Sequence, residues 1–188
     1  MLQDEFVTKF VHSTIKKVWL EDISRDYKKL YLLKEDSFKN SFYFNLRRRL
    51  GDDFLEENNL RIFTEYYIEG ERIDLAVVEI DPIKAQNNYL GNCVTRVISV
   101  IEMKYKGKNA SESLFDADVN KIISYMEKMD NDTLFYIAFI REKYFNFDEV
   151  TNWVVMDEHI EKAKGKLTEL FSYGEVESDD MVWHIVEH

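Results

Sequence analysis

Apolar residues recur along this chain at two different spacings, and each change of spacing marks a new element. Val7, Val11 and Val18, with Phe6 and Phe10, trace a broken stripe that Ile23, Tyr27 and Leu30 resume beyond Glu21-Asp22. Three- and four-residue recurrence puts side chains on one helical face and predicts an amphipathic helical stretch over 3–31. Phe38, Phe42, Leu46 and Leu50 recur every four residues and predict a helix over 34–50, with Gly51 as its stop. Glu35 precedes Phe38 by three, so it carries a carboxylate on the packing face at the helix start. Apolar runs over 61–68 and 72–80 flank Glu69-Gly70-Glu71 and read as a hairpin. A loop holding Pro82 and Gly91-Asn92 leads to a strand over 97–105. Leu114, Val119, Ile122, Tyr125, Met126 and Met129 give one apolar side to a helix over 111–129. The run 133–140 is almost wholly apolar, which suits a strand covered on both faces. A helix over 157–171, with a start as early as Phe147, and a strand over 181–186 complete the chain.

The order helix, three strands, helix, strand predicts an α/β protein whose mixed central sheet is flanked by helices. No internal repeat interrupts it, and 188 residues suit one domain. Its parts are an N-terminal helical extension over 1–33, a core over 34–140, and a C-terminal helix and strand over 141–188.

Composition removes several classes. The chain is 45% hydrophobic and 32% charged, as in ordinary globular proteins. No apolar run approaches the ~20 residues of a membrane span, and the first residues lack the basic-then-apolar pattern of a secretory signal. Cys93 is the single cysteine, which excludes an intrachain disulfide and a cysteine zinc cluster and fits a reducing, cytoplasmic setting. The four histidines show no metal-ligand spacing. The net charge of −11 opposes binding to phosphate backbones over the whole surface, so any such binding needs local positive charge. Two local clusters exist, Arg47-Arg48-Arg49 and the set Lys104, Lys106 and Lys108. The arginine run reads as a solvated helix end that offsets the helix dipole. The acids Asp52-Asp53 and Glu56-Glu57 are expected in turns.

The chemistry concentrates at the end of the strand over 97–105. Side chains on a strand alternate, so Glu102 and Lys104 project from one face. An acid and an amine there are costly unless something uses them. Asp74 lies near the start of the strand over 72–80. If these strands are antiparallel neighbours, Asp74 comes close to Glu102, and two carboxylates with a lysine suit metal-dependent cleavage of a phosphodiester. Mg²⁺ takes one or two carboxylates and keeps several waters. The plain structural reading is an ion-pair group of Asp74 and Glu102 with Lys104 and Arg72.

Over 34–140 this layout resembles the PD-(D/E)XK nuclease superfamily, the restriction-endonuclease-like fold. Asp74 matches the family's first acid and Glu102-Met103-Lys104 its Glu-x-Lys motif, while Ile73 stands where the name-giving proline would be. Glu35 matches the acid that many members carry on the first core helix, and Asp118 and Lys121 match an acid and a lysine on the following helix. The resemblance implies a Mg²⁺- or Mn²⁺-dependent endonuclease acting on DNA. Asp74, Glu102 and the Met103 carbonyl would hold the metal. Lys104 would assist catalysis, Glu35 would be an auxiliary acid, and Lys106, Lys108 and Lys121 would hold substrate phosphates. The acidity favours an alternative: a catalytically inactive protein of this fold that serves as an interaction module, or a subunit whose partner supplies recognition in a DNA-processing or defence complex. A homodimer is compatible with either.

Overall fold

Each apolar run finds its chain neighbour as its sheet neighbour, so six strands pair in sequence order. The computed structural model describes residues 2–68, 70–130, 132–146, 149 and 152–188. The strands are β1 (Leu60–Ile68), β2 (Glu71–Ile80), β3 (Val94–Gly107), β4 (Leu134–Phe145), β5 (Leu167–Glu175) and β6 (Asp180–Glu187). The sheet runs β1-β2-β3-β4-β5-β6. The pairs β1/β2, β2/β3 and β5/β6 are antiparallel, and β3/β4 and β4/β5 are parallel. A parallel return needs a crossover. Helix α5 (Ser113–Lys128) supplies the first and α6 (Asp157–Ala163) the second. Helices α1 (Leu2–Lys17), α2 (Ser24–Lys28), α3 (Glu35–Leu50) and α4 (Asp52–Glu57) precede the sheet. The protein is thus a mixed α/β structure, and its core follows the expected order αβββαβ.

Two apolar layers sandwich the sheet. On one face Val11, Ile15, Phe38, Phe42 and Leu46 pack on Leu75, Val77, Ile101, Met103 and Ala138. On the other, Phe115, Val119 and Ile122 of α5 pack on Val100, Ile137, Phe139 and Phe171. Each such side chain contributes about 1.5–3 kcal/mol on burial. The central strand β4 is buried from Phe135 to Arg141, which is why its sequence shows no polar alternation.

Three elements differ from the sequence expectation. The helix expected over 157–171 stops at Ala163, and 167–175 is strand β5. Gly165 in left-handed backbone (φ 73) turns the chain. Residues 167–174 are all buried between β4 and β6, so their spacing imitated a helix without specifying one. The acids Asp52-Asp53 and Glu56-Glu57, expected in turns, belong to α4. The helical stretch over 3–31 contains a π-helical turn, Val18–Ile23, before α2. That turn adds a residue to the helical repeat, which accounts for the broken stripe. Trp19, Asp22 and Ile23 are fully buried within it. Leu30, expected to continue the stripe, instead lies outside it at 88% exposure. It closes α2 in left-handed backbone (φ 61), a position that glycine usually fills and that costs another residue roughly 1–2 kcal/mol. Glu69 of the expected hairpin turn and Phe147 lie outside the described residues.

The arginine run is a solvated helix end at Arg47 and Arg48, both exposed, and an anchor as well, because Arg48 and Arg49 reach a buried acid. Asp22 is fully buried and accepts Arg25 Nη1 and Arg48 Nη2, each at 2.8 Å, and also Arg49 Nε. Burial alone would raise the Asp22 pKa, but the guanidiniums of Arg49 and Arg25 outweigh it and hold the carboxyl below its ordinary range. Arg47 pairs with Asp52 at 2.9 Å. Asp22→Ala should therefore take the buried acid from three arginines at the α3 seam, leaving Arg25 only Asp26 and Arg49 only Glu21. We expect a stability loss of roughly 2–4 kcal/mol in urea titrations, less than for a wholly buried pair because the arginines reach water. A loss within ~0.5 kcal/mol, usual for surface substitutions, would contradict the anchor.

Candidate active site

The site begins where two strands part. Pairing of β2 with β3 ends at Leu75↔Ile101. Just past that pair the Met103 N–H donates to Asp74 Oδ2 at 2.8 Å, so a side-chain carboxylate takes the place of a ladder carbonyl. The other oxygen, Oδ1, accepts Lys39 Nζ of α3 at 2.7 Å. Lys39 also meets Glu65, whose left-handed backbone (φ 54) lies within β1, and Glu65 in turn pairs with Arg72 at 2.8 Å. Burial works against the Lys39 ammonium, yet Asp74 and Glu65 outweigh it and raise its pKa.

From β3, Glu102 and Lys104 meet α5. Glu102 is 1% exposed. Its Oε2 accepts Lys121 Nζ at 2.9 Å, and its Oε1 is buried without a hydrogen-bond partner. Desolvation, with the Asp74 charge second, pushes the Glu102 carboxyl up to about 8 against the pull of Lys121. Burial also works against the Lys121 ammonium, but Glu102 more than offsets it and the net direction is upward. Lys121 Nζ donates to the Arg72 carbonyl as well, at 2.7 Å.

Lys104 Nζ lies 2.7 Å from Asp118 of α5 and 3.6 Å from Glu35 of α3. Burial raises the Asp118 pKa and prevails over the opposing Lys104 charge. Lys106 Nζ lies 3.8 Å from Glu35. Lys108 is exposed in the turn after β3. The structure thus gathers Asp74, Glu102, Lys104, Glu35, Lys106, Asp118 and Lys121 around one fork, and does not join Lys108 to them by any hydrogen bond or ion pair among the described residues. The ion pairs differ from the plain reading: Asp74 pairs with Lys39 and Glu102 with Lys121, not with Arg72 or Lys104. Sequence reasoning missed Lys39. It follows Glu35 by four on α3, so helical spacing puts both on one face.

A divalent cation fits the donor set. The partnerless Oε1 of Glu102 is a buried carboxylate oxygen beside a second carboxylate, and Mg²⁺ needs no more than two from the protein. Among the described residues no three His, Cys, Asp or Glu side chains are arranged to hold a metal, so a cage of many protein ligands is not formed.

No family model matches the chain, and no curated protein matches it. Among solved structures, Pyrococcus furiosus SfsA in complex with Ca²⁺ is similar at 12% identity and a TM-score of 0.36. The likeness covers 79% of this chain and 62% of that one, so the chain spans less than two thirds of its length. Similarity at that level assigns neither a family nor an activity.

The Glu102 environment has a consequence for the metal-free protein. Its carboxyl ionises near 4.3 when unfolded and at about 8 when folded. Between these values the folded state holds the extra proton, so stability is full below the ordinary carboxylate range and declines as pH rises towards 8. Urea titrations across that window should show the decline in the parent protein and a flatter profile in Glu102→Gln. Parallel profiles would contradict a buried carboxyl at this position.

Proposed function

We propose that the protein is a metal-dependent nuclease that hydrolyses phosphodiester bonds of DNA at the fork between β2 and β3. The observation that carries this reading is the arrangement of Asp74, Glu102 and Lys104 where the pairing of β2 with β3 ends, with Glu102 Oε1 buried and unpartnered. A hydrogen bond from the backbone to Asp74 fixes one acid, and packing against α5 fixes the other. Such preorganised charge is what phosphoryl chemistry needs. The arrangement has the layout of the PD-(D/E)XK resemblance drawn from the sequence.

Asp74, Glu102 and the Met103 carbonyl would hold Mg²⁺ or Mn²⁺, which would supply Lewis-acid charge to a phosphoryl oxygen and lower the pKa of water. Lys104 holds the attacking water and offsets charge that develops on the phosphorus oxygens. Asp118 and Glu35 fix the direction of its ammonium. Lys39 and Lys121 balance the two acids, and Lys106 and Lys108 contact phosphates on either side of the scissile bond. These contacts position the backbone and read no sequence.

A second reading, a nuclease-like protein without catalysis that serves as an interaction module or subunit, draws on one observation. Both proposed metal ligands already hold a lysine, at 2.7 and 2.9 Å. One assay separates the two. Purified protein is incubated with plasmid DNA in Mg²⁺ or Mn²⁺ beside Asp74→Ala, Glu102→Ala and Lys104→Ala. We expect cleavage by the parent and losses of roughly 100-fold or more in each variant. Equal cleavage by all four identifies a contaminant, and no cleavage by the parent on DNA or RNA supports the second reading.

A further inference from the structure

One apolar segment turns most of its large side chains away from the fold. Residues 28–34, Lys-Lys-Leu-Tyr-Leu-Leu-Lys, connect α2 to α3. Leu32 turns inward at 7% exposure, but Leu30, Tyr31 and Leu33 are 88%, 67% and 81% exposed. The segment is held at both ends. Leu30 N–H donates to the Tyr27 carbonyl and Tyr31 N–H to the Asp26 carbonyl, each at 2.9 Å. Leu33 and Lys34 N–H donate to Ser37 Oγ at 2.8 and 3.0 Å. The chain therefore presents three large apolar side chains in fixed positions. It keeps a leucine in the left-handed conformation, where glycine would relieve strain and remove exposed apolar surface.

Place and charge indicate the occupant. The segment leads directly into Glu35, which meets Lys104 and Lys106, so its C-terminal end borders the fork. It carries three lysines and no acid in a chain of net charge −11. Lys28 pairs with Asp180 at 3.3 Å and Lys34 with Asp36 at 2.8 Å, both in the open, where such pairs are weak and exchange readily for phosphate. Three lysines beside a fork of nearly balanced charge fall short of the clusters of about four to eight that hold a protein on anionic lipid. A nucleic-acid strand offers both partners at once, phosphates for the lysines and base faces for the apolar tip.

We propose that residues 28–34 form a wedge for a nucleic-acid duplex. Leu30, Tyr31 and Leu33 enter between bases beside the fork, and Lys28, Lys29 and Lys34 take the flanking phosphates. Apolar wedges of this kind unstack a base step and bend the duplex. The position of the wedge rests on the nuclease reading, but insertion itself requires no cleavage.

The test uses short DNA duplexes with the fluorescent base 2-aminopurine at successive positions, in Mg²⁺, with full-length Lys104→Ala protein so that the strands stay intact. Binding should raise the fluorescence at one or two neighbouring positions as the base unstacks. Adding Leu30→Gly and Leu33→Ser should abolish that rise and weaken binding about tenfold, the cost of losing base contacts. Leu30→Gly relieves a left-handed leucine, so the altered protein should melt no lower than its parent, which excludes misfolding as the cause. No rise with the parent, or an equal rise with the altered loop, overturns the wedge. Preference of the parent for phosphatidylserine vesicles over the duplex overturns it as well. The nuclease reading is judged separately. If protein with Lys104 intact cuts nothing while the loop changes still abolish the fluorescence rise, catalysis fails and the wedge stands.

Discussion

A carboxylate stands where a strand carbonyl would normally be, and the arrangement around it depends on that replacement. Asp74 satisfies the Met103 N–H, so β2 and β3 can part without an orphaned donor inside the protein. The gap admits side chains from both helical layers. Lys39 enters from α3, and Asp118 and Lys121 enter from α5. Without the parting, an intact ladder would close the sheet and keep those layers separate.

Charge inside the fork is nearly balanced although the protein as a whole is acidic. Glu35, Asp74, Glu102 and Asp118 face Lys39, Lys104, Lys106 and Lys121. Buried ions persist only when paired, and removal of one partner costs several kcal/mol. The lysines thus make the acids tolerable in the absence of a cation, and a bound cation would relax that need. Overall net charge is a poor guide to such a place. Much of the excess acid lies elsewhere, as in α4 and the residues leading into β6.

The sequence made the alternation of β3, the hairpin of β1 and β2, and the doubly covered β4 readable because each rests on a local period. Glu102 and Lys104 were readable for the same reason, since two residues on a strand share a face. Lys39 was not, because its importance comes from contact with Asp74 and Glu65, which are distant along the chain. Strand β5 was hidden because Ile160, Ala163, Leu167 and Phe171 recur at helical spacing. Only the neighbouring β4 and β6 show that the last two belong to a sheet. The arginine run looked like a charged helix end, and nothing local revealed that a buried Asp22 awaited it.

The π-helical turn at Val18–Ile23 also acts as a phase adapter between α1 and α2. Each residue of an α-helix advances the side-chain direction by about 100°. Deleting a single residue there would restore an unbroken α-helix and swing Val7, Val11 and Ile15 away from the sheet, or else turn Trp19 and Ile23 outward. Insertions and deletions in homologous chains should therefore spare this turn even though no part of it touches the fork.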